Sequence, residues 1–345
     1  MMGCRFGSHR VMEPAGVLPQ PAWRISNDMT IYDNEILLDV IRLNIDSASF
    51  HQIIQEVGRD EKRVADRMMA IVGDRGKMHN PSTGSGGMLI GQVVQIGSAL
   101  ENKIDLSIGD RISTLVSLSL TPLSIRSIKR VLLNQEQVEI DGQAILFESG
   151  VYAKLPNDMS ETLALSILDV AGAPAQTARL AKKGDTIFIL GAGGKSGLLC
   201  TAMARKMIGR EGTIIGLVHS RKSLDTAGEL NMCDHLIQGN ATDALFIHKQ
   251  LDRLTHGAMA DLVINCVNVP DTEMSSILAC RNRGTVYFFS MATSFTKAAL
   301  GAEGIGYDID MIIGNGYCHD HAAISLQIVR EFPVLQKIFN EKYAI

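Results

Sequence analysis

Residues 188 to 207, FILGAGGKSGLLCTAMARKM, place four glycines with Lys195 and Ser196 where an apolar, β-branched run gives way to a helix-like stretch. Such a turn holds phosphate, because the first helical turn leaves its backbone amides unpaired and the helix dipole favours an anion. Spacing decides which phosphate. A triphosphate loop needs a glycine five positions ahead of Gly194-Lys195-Ser196, and that position is Ile189, inside the strand. A dinucleotide turn fits: Gly191 and Gly193 follow TIFIL directly, for the tight turn and the close approach of backbone to a pyrophosphate. The third glycine of that pattern is displaced, with Ser196 in its place and Gly197 one residue on, so close packing of helix on strand is shared between them or shifted. Gly191, Gly193, Gly194, Lys195, Ser196 and Gly197 are the expected seat, with Lys195 either touching phosphate or solvated.

The second strand of the same region ends in LVHSRKS. An acid there would bond ribose hydroxyls, whereas basic groups accommodate a 2′-phosphate. No acid stands between Leu217 and Ser223, and Ser220, Arg221 and Lys222 supply a hydroxyl and two cations. The cofactor reading is NADP or NAD, leaning toward NADP; the plain alternative is a solvated helix N-terminus.

Two carboxylates interrupt apolar stretches, Asp46 in RLNIDSASF and Asp169 in LSILDVAG. Either can serve acid–base chemistry. Asp46 can equally be the N-cap of SASFHQIIQEV, and Asp169 a helix-end turn before Gly172 or a buried, paired acid. His51 lies one helical turn beyond Ser47, where it would orient water or a substrate group. His79, Asn80 and Ser85 sit in HNPSTGSGG, whose amides and side-chain donors can hold a carboxylate, or which is simply an Asn-Pro turn. Cys318-His319-Asp320-His321 suggests a metal, but Asp320 directly precedes the periodic AAISLQIVREF and reads as its N-cap.

The elements that must position these groups change in texture near residue 155. Before it, EILLDVIRLNI and MLIGQVVQIGSAL read as strands of an irregular β-lobe, with one helix in DEKRVADRMMAIVGDRG from the spacing of Val64, Met68, Met69 and Ile71. After it, Asp158 with Glu161 forms a capping box for MSETLALSILDV, and AGAP starts another helix. Strands TIFIL, TIIGLV, DHLIQ, DLVINCV, TVYFFS and MIIG then alternate with helix-like segments, as in a doubly wound parallel sheet buried on both faces. The expected division is a substrate lobe over residues 1–155, a dinucleotide lobe over 156–319, and a C-terminal helix, 320–345, packing back on the first.

Composition narrows the partners. The 345 residues are 46% apolar, with 37 acidic against 33 basic side chains, so no basic stripe exists to neutralise nucleic acid. No run reaches the roughly 18 apolar residues a bilayer span needs. Six scattered cysteines without a CxxC pair indicate neither a structural zinc nor a disulfide framework, and a cytoplasmic setting fits. The sixteen methionines are dispersed through apolar segments as core filling.

With these strands behind an irregular N-terminal lobe, the chain resembles the medium-chain dehydrogenase/reductase superfamily, which implies a GroES-like lobe plus a Rossmann lobe. LIGQVVQIG, LSIGDRIS, LVINCVN and TVYFFSMAT are similar to its landmarks, and by that similarity Cys266, Val267, Asn268, Ser290 and Met291 lie near the nicotinamide end. The zinc-dependent members hold their metal with Cys, His and Cys. Here Asp46 stands at the first position, Gly87 and Met88 at the His-Glu pair, and Val170 at the later cysteine, so no metal is expected. A closer likeness rests on GSHRVMEPAGVLPQPAWRISN, HNPSTGSGGMLIGQVVQIG and FILGAGGKSGLLC, which together resemble the L-erythro-3,5-diaminohexanoate dehydrogenase family of lysine fermentation. That resemblance implies oxidative deamination of a small diamino acid and a homodimer or homotetramer; for such chemistry Asp46 and Asp169, which interrupt apolar stretches at the vacated zinc-ligand positions, are the candidate acids. The competing readings are a zinc-free quinone or enoyl reductase using NADPH, and a non-catalytic NADP-binding sensor.

Overall fold

A computed structural model describes residues 1–314 and 316–343, and the chain divides into two compact units, Met1–Leu165 and Ser166–Ile345. The first unit is built on a six-stranded antiparallel sheet of order β6-β7-β3-β4-β5-β8. Its strands are β3 (Glu35–Asn44), β4 (Met88–Ile96), β5 (Arg111–Thr114), β6 (Leu123–Leu132), β7 (Gln137–Phe147) and β8 (Tyr152–Lys154), with a small antiparallel pair, β1 (Val11–Glu13) and β2 (Arg24–Ile25), beside them. Helices α1 (Ser47–Val57) and α2 (Glu61–Arg75) share its core, where Leu38, Leu43, Phe50, Val64, Met68 and Val138 are buried. Asp60 caps α2 by accepting from the Arg63 amide at 2.9 Å, and the helix stops at left-handed Gly76. A Cβ at Gly76 would lie 2.1 Å from the Ile25 carbonyl oxygen, so only glycine lets the helix end against β2.

The second unit contains β9 (Thr186–Leu190), β10 (Thr213–Val218), β11 (His235–Gln238), β12 (Ala260–Asn265), β13 (Cys280–Phe288) and β14 (Asp310–Ile313), all parallel, in the order β11-β10-β9-β12-β13-β14. In sequence order within the sheet this is 3-2-1-4-5-6, the Rossmann arrangement. Phe188 and Leu190 enter one buried cluster while Ile187 and Ile189 enter the other, which is why β9 reads as an unbroken apolar run rather than an alternating one. The helices are α3 (Glu161–Leu168), α4 (Gly172–Leu180), α5 (Lys195–Ile208), α6 (Arg221–Leu230), α7 (Ala244–Thr255), α8 (Glu273–Ala279), α9 (Phe295–Ile305), α10 (His321–Glu331) and α11 (Pro333–Tyr343). No helix among the described residues is long and apolar enough to cross a membrane.

Several expectations change. The dividing line falls inside α3 rather than at residue 155. Within the second unit the C-terminal segment forms two helices rather than one: α10 packs on α4 and α5, and α11 on α5 and α6, burying Ile328, Val329, Leu335, Ile338 and Phe339. At the start of α3, Ser160 Oγ accepts from the Leu163 amide at 3.3 Å. Asp320 stands ahead of α10 with φ 57 and no side-chain cap bond, because the left-handed backbone replaces the extended geometry that a cap requires. Its carboxylate pairs instead with His319 at 3.0 Å, and His321 is buried against Tyr317.

Candidate active site

The glycine turn joins β9 to α5. Gly191 has φ 84, and a Cβ on Gly193 would lie 2.4 Å from the Ser223 carbonyl oxygen. A Cβ on Gly197 would lie 2.1 Å from the Gly191 oxygen, so the helix–strand contact belongs to buried Gly197 and not to half-buried Ser196. Gly194 is the N-cap of α5 and has no side chain to cap the leading amides, which are left for a ligand. A cavity of about 390 Å³ opens there, lined by Gly191, Gly193 and Gly194 after β9, Val218 at the end of β10 with His219 and Ser223 beyond it, Gly239, Asn240 and Ala241 after β11, and Cys266, Val267 and Val269 after β12. These are the carboxyl ends of the strands on either side of the point where the strand order reverses, the place a doubly wound sheet binds a dinucleotide.

Other expected cofactor residues are less direct. Ser220 Oγ accepts from the Ser223 amide at 3.1 Å in a capping box of α6, and Arg221 turns along the helix to Asp225 at 2.9 Å with its side chain 80% exposed. Lys222 is exposed. Of the fourth-strand group, Cys266 and Val267 line the cavity and Asn268 does not. Cys266 Sγ lies 3.9 Å from Cys200 Sγ, and that contact together with burial holds its thiol well above the ordinary range. Ser290 is buried, its Oγ accepting from the Ala292 amide at 3.1 Å, while Met291 is 82% exposed; neither lines the cavity. Reasoning from sequence missed His219 and the Gly239–Ala241 turn, although the Gly-Asn pair after HLIQ marks a strand end. It also missed buried Asn265, which accepts from the Val267 amide and donates to Thr272 and Ser276, shaping the turn after β12.

In the first unit, Asp46 is the N-cap of α1. Its Oδ1 accepts from the Ser49 amide at 2.9 Å; its Oδ2 is buried and makes no hydrogen bond among the described residues. Ser49 Oγ meets Thr83 Oγ1 at 2.5 Å and Ser85 Oγ at 3.1 Å. The loop that carries those hydroxyls lies directly on the Asp46 turn, since a Cβ at Gly87 would be 2.9 Å from the Asp46 nitrogen and closer still to the Asn44 carbonyl. Asn80 is the buried tie: it donates to Ser49 O and Gln52 Oε1 and accepts from the Ser82 amide. His79 faces Gly84, and its buried Nδ1 has no partner among the described residues. Burial first, then the nearby Lys77 and Arg75 charges, push its pKa down to about 4, so the ring is neutral at neutral pH.

His51 is not drawn into this group. Its exposed ring donates to the Ser47 carbonyl at 2.7 Å and faces Glu136. Lys77, which nothing in DRGKMHNP marks as interior, is fully buried and donates to the carbonyls of Pro19 and Gln20 at 2.6 and 3.0 Å. Burial pushes its pKa down to about 7. Arg75 stacks on Trp23 beside it, with 3.8 Å from guanidinium carbon to ring centroid. In the second unit, Asp169 lies in the turn between α3 and α4 and receives Lys195 Nζ at 2.9 Å.

A family profile described as the L-erythro-3,5-diaminohexanoate dehydrogenase N-terminal domain matches residues 9–156. The L-erythro-3,5-diaminohexanoate dehydrogenase of Acetoanaerobium sticklandii is 59% identical over 343 residues, covering 99% of this chain and all of the relative. The chain belongs to the L-erythro-3,5-diaminohexanoate dehydrogenase family. Its counterpart in Fusobacterium nucleatum is 55% identical over 341 residues, covering 99% of both chains. A second profile, described as zinc-binding dehydrogenase, matches residues 197–312 of this family member; Asp46, Gly87, Met88 and Val170 all fall outside that range. Among solved structures, the CurK enoyl reductase aligns with a TM-score of 0.57 at 15% identity over 97% of this chain and 89% of the other. The alcohol dehydrogenase of Thermus sp. ATN1 aligns with a TM-score of 0.55 at 18% identity over 92% and 87%. These two likenesses show the fold alone. The family member is thus a dehydrogenase of the medium-chain type, which implies a nicotinamide cofactor.

Proposed function

We propose that this protein oxidatively deaminates L-erythro-3,5-diaminohexanoate at C3, yielding 5-amino-3-oxohexanoate and ammonia. The reading is carried by its 59% identity, end to end, with an enzyme named for dehydrogenating that compound. A nicotinamide bound at the glycine turn supplies the acceptor for the hydride leaving C3. The chain's own residues must do the rest. An ammonium has no lone pair to stabilise the cation that hydride loss creates, so a base must first take a proton from it. Asp46 is the base we assign, because its buried Oδ2 has no donor among the described residues while Oδ1 is fixed by the Ser49 amide. Once that proton has passed on to water, the carboxylate stabilises the substrate iminium electrostatically until water adds to its carbon and ammonia leaves. The balance is one ammonium substrate, one oxidised nicotinamide and one water, giving ketone, reduced nicotinamide, ammonium ion and a proton.

The hydroxyls of Ser49, Thr83 and Ser85 and the neutral His79 ring are polar groups for the substrate's remaining ends, with Asn80 holding the loop in place. Asp169, one residue from the vacated ligand position at Val170, is the second acid of the amine chemistry. For the cofactor, absence of an acid after β10 and the cations Arg221 and Lys222 support NADP, provided that Arg221 leaves Asp225; an exposed pair of this kind costs well under about 1 kcal/mol to break. A homodimer or homotetramer is the assembly supported by the superfamily resemblance, and light scattering checks it. The function itself is tested by absorbance of reduced nicotinamide. Purified protein with NAD or NADP and the diamino acid should show a rise; no rise, together with turnover of a quinone by reduced cofactor, would replace this reading with the reductase one.

A further inference from the structure

Lys195 is the first residue of α5 and belongs by sequence to the phosphate turn, yet it is not among the residues lining the cavity. Its ammonium lies 2.9 Å from Asp169 Oδ2 and 5.5 Å from the ring centroid of Tyr343 on α11. Both partners of the ion pair are mostly withdrawn from solvent, with 21% of the lysine and 19% of the aspartate side chain exposed. A pair so placed is not the exchangeable surface kind, because neither charge is fully hydrated. A phosphate, by contrast, is already served by the leading amides of α5. We propose that Lys195 is a positioning residue for Asp169 and not a ligand of the cofactor's phosphates. Its ammonium holds the Asp169 carboxylate in one orientation, linking the start of the cofactor helix to the second acid of the reaction. This rests on the functional reading above for the role of Asp169, but not for the separation of Lys195 from phosphate binding.

The test uses the full chain and four variants: Lys195→Met, Lys195→Arg, Asp169→Asn, and Lys195→Met with Asp169→Asn. Calorimetric titration with NAD and NADP should give Kd values for Lys195→Met within about twofold of the parent, while kcat for the diamino acid at saturating cofactor falls about tenfold or more. Lys195→Arg should recover most of that kcat, and the double variant should be no slower than Asp169→Asn alone. Weakening of cofactor Kd by about tenfold with kcat unchanged would make Lys195 a phosphate ligand and overturn the proposal. So would a fall in melting temperature with both constants intact, or a double variant slower than Asp169→Asn by the full Lys195→Met factor. If Lys195→Met does not fold, Lys195→Arg and Asp169→Asn carry the comparison. If the parent protein turns over no diamino acid, the functional reading fails by itself, and the cofactor titration still decides whether Lys195 holds phosphate.

Discussion

Two glycine-rich loops in this protein do opposite things with their polar neighbours. Between Gly191 and Gly197 the missing side chains let backbone meet backbone, and the ligand is offered a surface of amides and apolar walls. Between Gly84 and Gly87 the missing side chains press a hydroxyl-bearing loop onto the Asp46 turn, leaving two buried polar atoms, Asp46 Oδ2 and His79 Nδ1, with no protein partner among the described residues. Buried polar atoms are almost always hydrogen-bonded, and this pair of exceptions in one loop cluster is the observation behind the substrate site we propose there. The first loop is generic to dinucleotide lobes; the second carries the amine selectivity that we propose.

The contrast can be broken most severely at Gly197. Gly197→Ala should cost roughly 3 kcal/mol in chemical denaturation, since its Cβ would enter backbone 2.1 Å away, whereas Gly194→Ala, with nothing closer than 3.4 Å, should leave stability within about 0.5 kcal/mol and weaken cofactor binding instead. Next in size is Asp46→Asn. Asparagine caps a helix as well as aspartate, so the fold should persist while kcat/KM for the diamino acid falls about 100-fold or more and cofactor Kd stays constant. Survival of kcat/KM would make Asp46 a cap and nothing else.

Arg221→Ala should lower the NADP-to-NAD ratio of kcat/KM by about tenfold; an unchanged ratio would remove the basis for an NADP preference. The smallest effect concerns His79. Its folded pKa, about 4, lies below the ordinary 6.5, so between those values the unfolded chain binds a proton that the folded chain does not. Stability from this group is therefore complete above pH 6.5 and is lost as pH falls toward 4. Denaturation curves across that window should flatten in His79→Asn; an unchanged slope would mean that the ring is not buried as described.

The Rossmann unit was legible because buried parallel strands are apolar on both faces and the glycine turn has a fixed spacing: TIFIL and TIIGLV end at the observed residues of β9 and β10. β13 starts at Cys280, well ahead of TVYFFS, because Cys280 pairs with Ala260 before an irregularity in which Arg281, Asn282 and Arg283 are exposed, and regular pairing resumes at Thr285. Asp46 was legible as a cap from its place before SASFHQIIQEV; that its second carboxylate oxygen has no hydrogen-bond partner among the described residues was not. The partner of Asp169 was not legible, since Lys195 is 26 residues away and reads locally as a phosphate contact. Nor was Lys77, whose burial comes from the Pro19–Gln20 segment folding over it.

The central claim is that an amine is oxidised and released at a site whose base is Asp46. Ammonia and reduced nicotinamide, measured together in one reaction with L-erythro-3,5-diaminohexanoate, test it most directly. The account requires one ammonia for each nicotinamide reduced by the parent protein, with both products lost together in Asp46→Asn. Nicotinamide reduction without ammonia, or undiminished production of both by Asp46→Asn, would contradict it.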